Sequence, residues 1–491
     1  MKYRINFVVH DCNFNLVDHD PRIFVRPIPK KDGQQVFREW YLEYEDGVMT
    51  ALIPIDVIES MVRWIRDKII MDPKWADRLH QDTEDINREY FDFALEIRKK
   101  NLIELTNEEL LRDFKKLRDL QAGGHSNAIS TTWFLDSDGE VYTNYLKNKL
   151  EEHLAELNIT DKISQVEYFT ILTTPHRQGF ATEEQIEFLG LLQKIKESGQ
   201  DVGDFYEEIK KHYQKWHWVP YGYIGPAYTL DYYEKKVVEE LKTENIVELL
   251  ILEKGRSERV KKERDGLIEK IKLPVGLKHY FDIARDIIWL KDYRKYCLWH
   301  GHYVLDLLTK EIAKRTNISH KQANHLLVEE VEELLFNGEV DENLINERIK
   351  HTLIYCTEEK NIFYYGDEAK KIKNTLEVED VEVDILQGFK GTCACSGEAE
   401  GEVKIVNSVA DIDKVKIGDI MLAHTTYPSM LPAMKRAGAI VSEDGGITCH
   451  AAIVSREFKI PCVVGVKKIT EILKDGDKVL VNATEGVIKK I

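Results

Sequence analysis

From Ile55 to about Asn343 the apolar residues return at helical spacing, as at Val57, Ile58, Met61, Val62 and Ile65, with few Gly or Pro to interrupt them. A period of about 3.6 residues sustained that far commits the middle of the chain to helix-on-helix packing and leaves sheet to its two ends. At the N-terminal end, Ile5 to Val9 and Trp40 to Tyr44 are β-branched or aromatic, and Lys31-Asp32-Gly33 and Asp46-Gly47 supply turns. Residues 1–54 are therefore expected to be a small strand-rich segment. Residues 55–376 are expected to be mainly helical, 377–385 an acidic linker, and 386–491 a separate α/β domain.

Helix starts are written locally. Thr106 to Glu109 and Thr182 to Gln185 read as capping boxes, and Ser319 with Gln322 as another. A long charged helix is expected from Leu230 towards Glu269, with a break near Gly255. A second is expected from Leu277 to Arg315, and the two suggest an antiparallel hairpin. His351 to Phe363 read as two short strands around a turn at 358–360, and Asp367 to Leu376 as a small helix.

Composition bounds the partners. A net charge of −17 disfavours nucleic acid and anionic membrane, which select basic faces. No apolar run approaches the roughly 20 residues of a membrane helix. Seven cysteines without dense spacing fit a reducing compartment, so the chain is expected to be cytoplasmic. Cys393 and Cys395 form the one close pair and lack two further ligands nearby, so no metal site is expected. His300 and His302, two apart on a helix, point to different sides.

The terminal segment carries the chemistry. Gly391, Gly397 and Gly401 punctuate extended pieces, Val403 to Val406 alternates, and Ala439 to Val441 and Cys462 to Val464 read as short buried strands. Between the last two runs lies Glu443-Asp444-Gly445-Gly446-Ile447-Thr448-Cys449-His450, followed by the apolar Ala451 to Val454. Two glycines allow backbone conformations that a side chain forbids, and the run after His450 starts a buried helix. The free N–H groups and dipole of that helix start favour an anion beside His450. Gly445, Gly446, Thr448 and Cys449 are candidate phosphate contacts; Thr448 also reads as a plain N-cap. Arg456 is the nearest cation on the same helix, although six residues is not a helical neighbour spacing.

This segment resembles the phosphohistidine signature of the phosphoenolpyruvate-utilising enzymes, the superfamily of pyruvate phosphate dikinase, phosphoenolpyruvate synthase and rifampicin phosphotransferase. Leu422 to Met434, with Thr425 and Thr426, resembles that family's threonine-proline loop, and Ile460 to Gly465 its following strand and turn. The resemblance implies a swivelling domain in which His450 is transiently phosphorylated. A weaker resemblance to the acceptor-binding region of the rifampicin phosphotransferases covers His212 to Tyr223 and the helix around Arg294. It makes Trp216, Trp218, Tyr221, Tyr223 and Arg294 a candidate acceptor pocket; ordinary packing is the other reading of those aromatics.

Relatives in that superfamily charge the histidine with an ATP-grasp domain or a phosphoenolpyruvate-binding barrel, and neither pattern occurs here. The fold expected is thus multidomain, with a mainly α-helical N-terminal and central region and a C-terminal α/β swivelling domain. The expected function is one component of a phosphotransferase. His450 would relay phosphoryl between a donor and a small-molecule acceptor at the helical domain. A separate ATP-grasp subunit would hold Mg and ATP or phosphoenolpyruvate, and no cofactor is expected on this chain. A regulatory or protein-interaction module that keeps the domain without turnover is the alternative.

Overall fold

The computed structural model describes residues 1–9, 39–128, 141–357, 359–379, 388–407, 409–426, 430–443, 445–446 and 449–491. Thr448, the turn at Lys31-Asp32-Gly33 and most of the expected linker lie outside them. No helix among them is long and apolar enough to cross a membrane.

The first sheet departs from chain order. Strands Lys2–Val9, Glu39–Glu45 and Val48–Pro54 are joined by His351–Thr357, Asn361–Tyr365 and Glu377–Val378 in a six-stranded sheet. Glu39–Glu45 pairs antiparallel with both Val48–Pro54 and His351–Thr357, while Glu377–Val378 runs parallel to Lys2–Tyr3. The N-terminal strands are therefore not a separate segment, and Glu377 to Glu379 are not linker. Sheet edges leave rows of N–H and C=O groups unmet, and a return of the chain after the helices supplies their partners. Asp46 and Gly47 both have positive φ, 49° and 79°, the backbone of a tight two-residue hairpin.

The helical body is organised by one element, the helix Val275–Thr316, 42 residues long. Its first half, with Phe281, Ile283, Ala284 and Ile287, enters a core shared with the sheet and the helix Ile55–Met71. Its second half, from Tyr296 to Ile312, enters another core with Tyr90, Phe114 and Leu334. The antiparallel hairpin expected with the preceding helix does not form. That region divides into Leu230–Glu240 and Ile246–Lys270, broken at 241–245 and not at Gly255. The long helix packs instead along Pro73–Arg98, whose buried Tyr90, Phe93, Ala94 and Ile97 offer the wider apolar face. Two capping boxes form, Thr106 with Glu109 and Ser319 with Gln322. At Thr182 the helix has already begun, with Gly179 as its N-cap.

The crossing with Pro73–Arg98 is close enough to require glycine. A Cβ added at Gly301 would lie 1.9 Å from Tyr90 Oη and 2.0 Å from its Cζ. Replacing a mid-helix glycine by alanine ordinarily gains about 1 kcal/mol. Here overpacking wins, and Gly301→Ala is expected to lower unfolding free energy by about 3 kcal/mol. Urea denaturation followed by circular dichroism measures it; an unchanged or raised midpoint would refute the close crossing.

Residues 388–491 build an eight-stranded sheet whose centre is parallel: Glu398–Ile405, Ile420–Ala423, Ala439–Ser442 and Cys462–Val464 lie side by side in that order. Ile420–Ala423 and Ala439–Ser442 are buried on both faces, which explains their unbroken apolar runs. Met421, Ala423 and Ile440 face Ala451 and Ala452 on one side, and Ile420, Leu422 and Val441 face Val479 and Ile488 on the other. Among the described residues, no helix of the helical body packs closely along any element of this domain. A boundary so thin is the kind across which whole domains move.

Candidate functional site

Two neighbouring parallel strands deliver the candidate residues to one edge. The chain leaves Ile420–Ala423 into the loop with Thr425 and Thr426, and leaves Ala439–Ser442 into the loop that ends at His450. Both loops sit at the carboxyl ends of the strands, where open parallel sheets place ligand sites. His450 begins the helix His450–Phe458, with Cys449 as its extended N-cap. The first helical bond runs from Ile453 N to Cys449 O at 3.1 Å, so the first-turn N–H groups point past His450 without helical partners.

The loop holds its shape by means visible in its residues. Gly445 has φ +104°, and a Cβ there would lie 2.6 Å from that of Cys449. Cys449 N donates to Gly446 O at 2.9 Å. Glu443 anchors the loop base, accepting from Lys468 N at 3.1 Å and from the Thr470 backbone and hydroxyl. Burial raises the Glu443 carboxyl pKa, but hydrogen bonds from His424 and Thr470 outweigh it and hold the group below its ordinary value.

His450 is 8 % exposed, and its Nδ1 lies 3.0 Å from Thr426 Oγ1. Burial first, and then the Lys295 ammonium, press its imidazole pKa down to about 3. The ring is thus neutral and nucleophilic throughout the physiological range. A depressed histidine pKa means that the exposed state binds more protons below pH 6.5, so acid favours opening of this arrangement and alkali does not. NMR titration of the His450 ring is expected to show it neutral from pH 8 down to about 4. A midpoint near 6.5 would mean that His450 spends its time in water.

Opposite His450 stands the helical body. The two enclose a cavity of about 100 Å³, walled by Leu431, Ile453 and Val454 on one side and by Ile288, Trp289, Asp292 and Tyr296 on the other, with Arg177 and Arg256. Arg177 lies 3.3 Å from the centre of the Trp289 ring and is held there by both oxygens of Glu84 at 2.8 and 3.0 Å. Asp292 and Lys295 are one turn apart, and Lys291 lies a further turn-spacing from Lys295. Burial raises the Asp292 carboxyl pKa, against the pull of Lys295, Lys291 and Arg256. Burial lowers that of Lys295, which Arg294 and Lys291 reinforce and Asp292 opposes. The site is a neutral nucleophile facing a cationic wall with one carboxylate.

Of the residues expected from sequence, Thr426, Gly445, Cys449 and His450 come together, and Gly446 joins them through its carbonyl. Thr425 is half-buried in the adjoining loop. Arg456 is held away from this cavity, its Nε donating to Ala394 O at 2.8 Å. The acceptor pocket expected around the aromatics is corrected. Trp216, Trp218 and Tyr221 are 2, 1 and 6 % exposed. Trp216 donates to Glu187 and Trp218 to Lys215 O; Phe91, Phe180 and His300 pack around the Trp218 ring, and Trp216 lies beside it. Tyr223 packs over His302, and Arg294 is buried, with its pKa pressed to about 10 by burial. Trp216, Trp218, Tyr221 and Arg294 are buried in the helical body, and Tyr223 is half-buried against its core. His300 and His302 are core as well, bonded to Arg98 at 3.2 Å and to Gln121 at 2.9 Å. Sequence reasoning missed Arg177, Arg256, Lys291, Asp292 and Lys295. The signal was the charged set Lys291, Asp292 and Lys295 in the middle of a helix otherwise apolar on most sides.

Residues 415–486 match the family model described as PEP-utilising enzyme, mobile domain. A probable phosphoenolpyruvate synthase of Archaeoglobus fulgidus is 38% identical over 192 residues, 37% of this chain and 25% of the relative. The phosphoenolpyruvate synthase of Pyrococcus furiosus is 45% identical over 137 residues, 28% of this chain and 16% of the relative. The rifampicin phosphotransferase of Bacillus subtilis is 28% identical over 248 residues, 48% of this chain and 28% of the relative. The chain thus spans about a quarter or less of the length of the synthases it matches.

Proposed function

The chain carries the mobile domain of the phosphoenolpyruvate-utilising enzymes, and from that premise we propose that it is a phosphotransferase component whose His450 relays a phosphoryl group to a small acceptor held against the helical body. The observation that carries the reading is a buried, neutral His450 that shares one small cavity with Arg177, Arg256 and Asp292, with the Lys295 ammonium near enough to act on its ring. A phosphohistidine dianion needs neutralising charge, and Arg177 and Arg256 in the cavity with Lys295 nearby supply it where in-line transfer requires little else. Thr426 Oγ1 lies 3.0 Å from Nδ1, and a proton on that nitrogen donated to the hydroxyl oxygen leaves the Nε2 lone pair to attack.

The steps balance simply. Nε2 forms an N–P bond as the donor's O–P bond breaks, and later the N–P bond breaks as an acceptor hydroxyl forms a new O–P bond. The acceptor's proton passes to Asp292, whose raised pKa suits a base. ATP or phosphoenolpyruvate is the donor, held by a separate nucleotide-binding subunit of the ATP-grasp kind, with Mg. The thin boundary between domains supports a swing between that donor site and the cavity seen here.

The test is incubation with labelled ATP or phosphoenolpyruvate, alone and with candidate nucleotide-binding subunits. Acid-labile, alkali-stable label that is then chased to a small acceptor supports the relay. No label with any donor and subunit would end it.

A further inference from the structure

A second cavity between the helical body and the terminal domain is the larger, at about 300 Å³, and it lies on the far end of the helix from His450. Lys147 and Lys162 enter it from the helices Val141–Glu156 and Lys162–Thr173, and Arg456 enters it from the terminal domain. Leu150, Val166 and Phe169 give it an apolar floor. Three cations meet two carboxylates there, and one of these, Glu485, is bonded to Lys162 at 3.1 Å across the boundary. This local positive excess runs against a net charge of −17.

Arg456 is the telling residue. Its Nε donates to the uncharged Ala394 O, and no carboxylate among the described residues pairs with it. Arg456 is half-buried at the cavity wall, and an anion in the cavity gives its guanidinium a charged partner. The three cations lie close enough to Cys393 to pull its thiol down, against the burial that pushes it up to about 11. Their charges therefore converge on one spot.

We propose that this cavity binds a small organic anion, a carboxylate or phosphate group on an apolar body, and that its occupancy clamps the terminal domain in the docked position. The cavity has walls from both bodies, so it exists only while they are docked. A ligand that contacts both walls binds the docked state alone and shifts the equilibrium towards it. The anionic head meets Arg456 and Lys147, and the apolar body rests on Phe169. Binding stands on this cavity by itself; only its effect on the relay rests on the function proposed above.

Benzoate, phenylphosphonate and inorganic phosphate serve as probes, titrated calorimetrically into the full chain. Saturable binding of benzoate or phenylphosphonate, tighter than that of phosphate, is expected, and which head binds better identifies the anion. Lys147→Gln with Lys162→Gln is expected to weaken it about tenfold, whereas His450→Asn and Arg177→Ala leave it unchanged. Saturating probe is expected to slow donor labelling of His450 about fivefold, relative to the same protein without probe, and not in the double lysine variant. No saturable binding by any probe, binding that the double variant retains, or binding lost with Arg177→Ala would overturn the site. Binding as expected with unchanged labelling would overturn the clamp. Absence of labelling in every protein would end the relay, while the calorimetry still decides the site.

Discussion

Replacing His450 by Asn is expected to remove all acid-labile label, a loss of about a thousandfold or more in phosphoryl acceptance. No neighbouring group can substitute. Cys449 is adjacent, but burial holds its thiol pKa above the ordinary value, so little thiolate forms. Thr426 is an unactivated alcohol whose hydrogen-bonding partner His450 is the residue removed. Asparagine keeps a polar group of similar reach towards Thr426, so the loop and helix start survive and the urea midpoint stays near that of the wild type. His450→Ala, which also empties space, is the harsher companion and should lose label equally. Label that persists in both variants, stable to alkali and labile to acid, would locate the nucleophile on another histidine.

Lys295→Met should slow transfer from phosphohistidine to acceptor by about a hundredfold, while leaving the protein folded. Methionine matches the length of the lysine stem, so the packing of the helix is retained and the change is one of charge. The same variant makes a second, independent forecast. Lys295 helps to hold the His450 pKa down, as the lesser cause after burial. Its removal therefore raises that pKa, though not to the ordinary value. Lys295→Arg keeps the charge and should restore much of the rate with the pKa still low. Rapid-quench transfer measurements and NMR titration read the two effects separately. A slower transfer with an unmoved His450 pKa would make Lys295 a structural residue and not a partner of the phosphate.

Much of the site was legible because its signals are local. The two glycines, the apolar run after His450 and the threonine loop are short stretches in which spacing and residue type already specify the backbone, and Gly445 and Thr426 sit as such reasoning expects. The wall opposite His450 was not legible, because Arg177, Arg256 and Asp292 meet only through the packing of segments distant in the chain. Strand pairing failed for the same reason: Tyr41 opposite Tyr355, or Lys2 beside Glu377, leaves no mark within any short window. The aromatics from His212 to Tyr223 misled in the opposite direction, since a ring that fills a core and a ring that lines a pocket have one and the same spelling.

The 42-residue helix also sets where adaptation can occur. At 1.5 Å per residue it is a rod about 63 Å long, clamped near each end by a different core. Lys291, Asp292 and Lys295 lie on the span between the clamps. That stretch behaves as a fixed anvil: it neither tilts nor slides without disturbing two cores at once. Divergence in acceptor preference should accordingly be recorded in the short segment around Arg177 and in the face that the terminal domain presents, while the anvil itself keeps its charges. A set of relatives that differ in acceptor would then differ at the rim and agree along the rod.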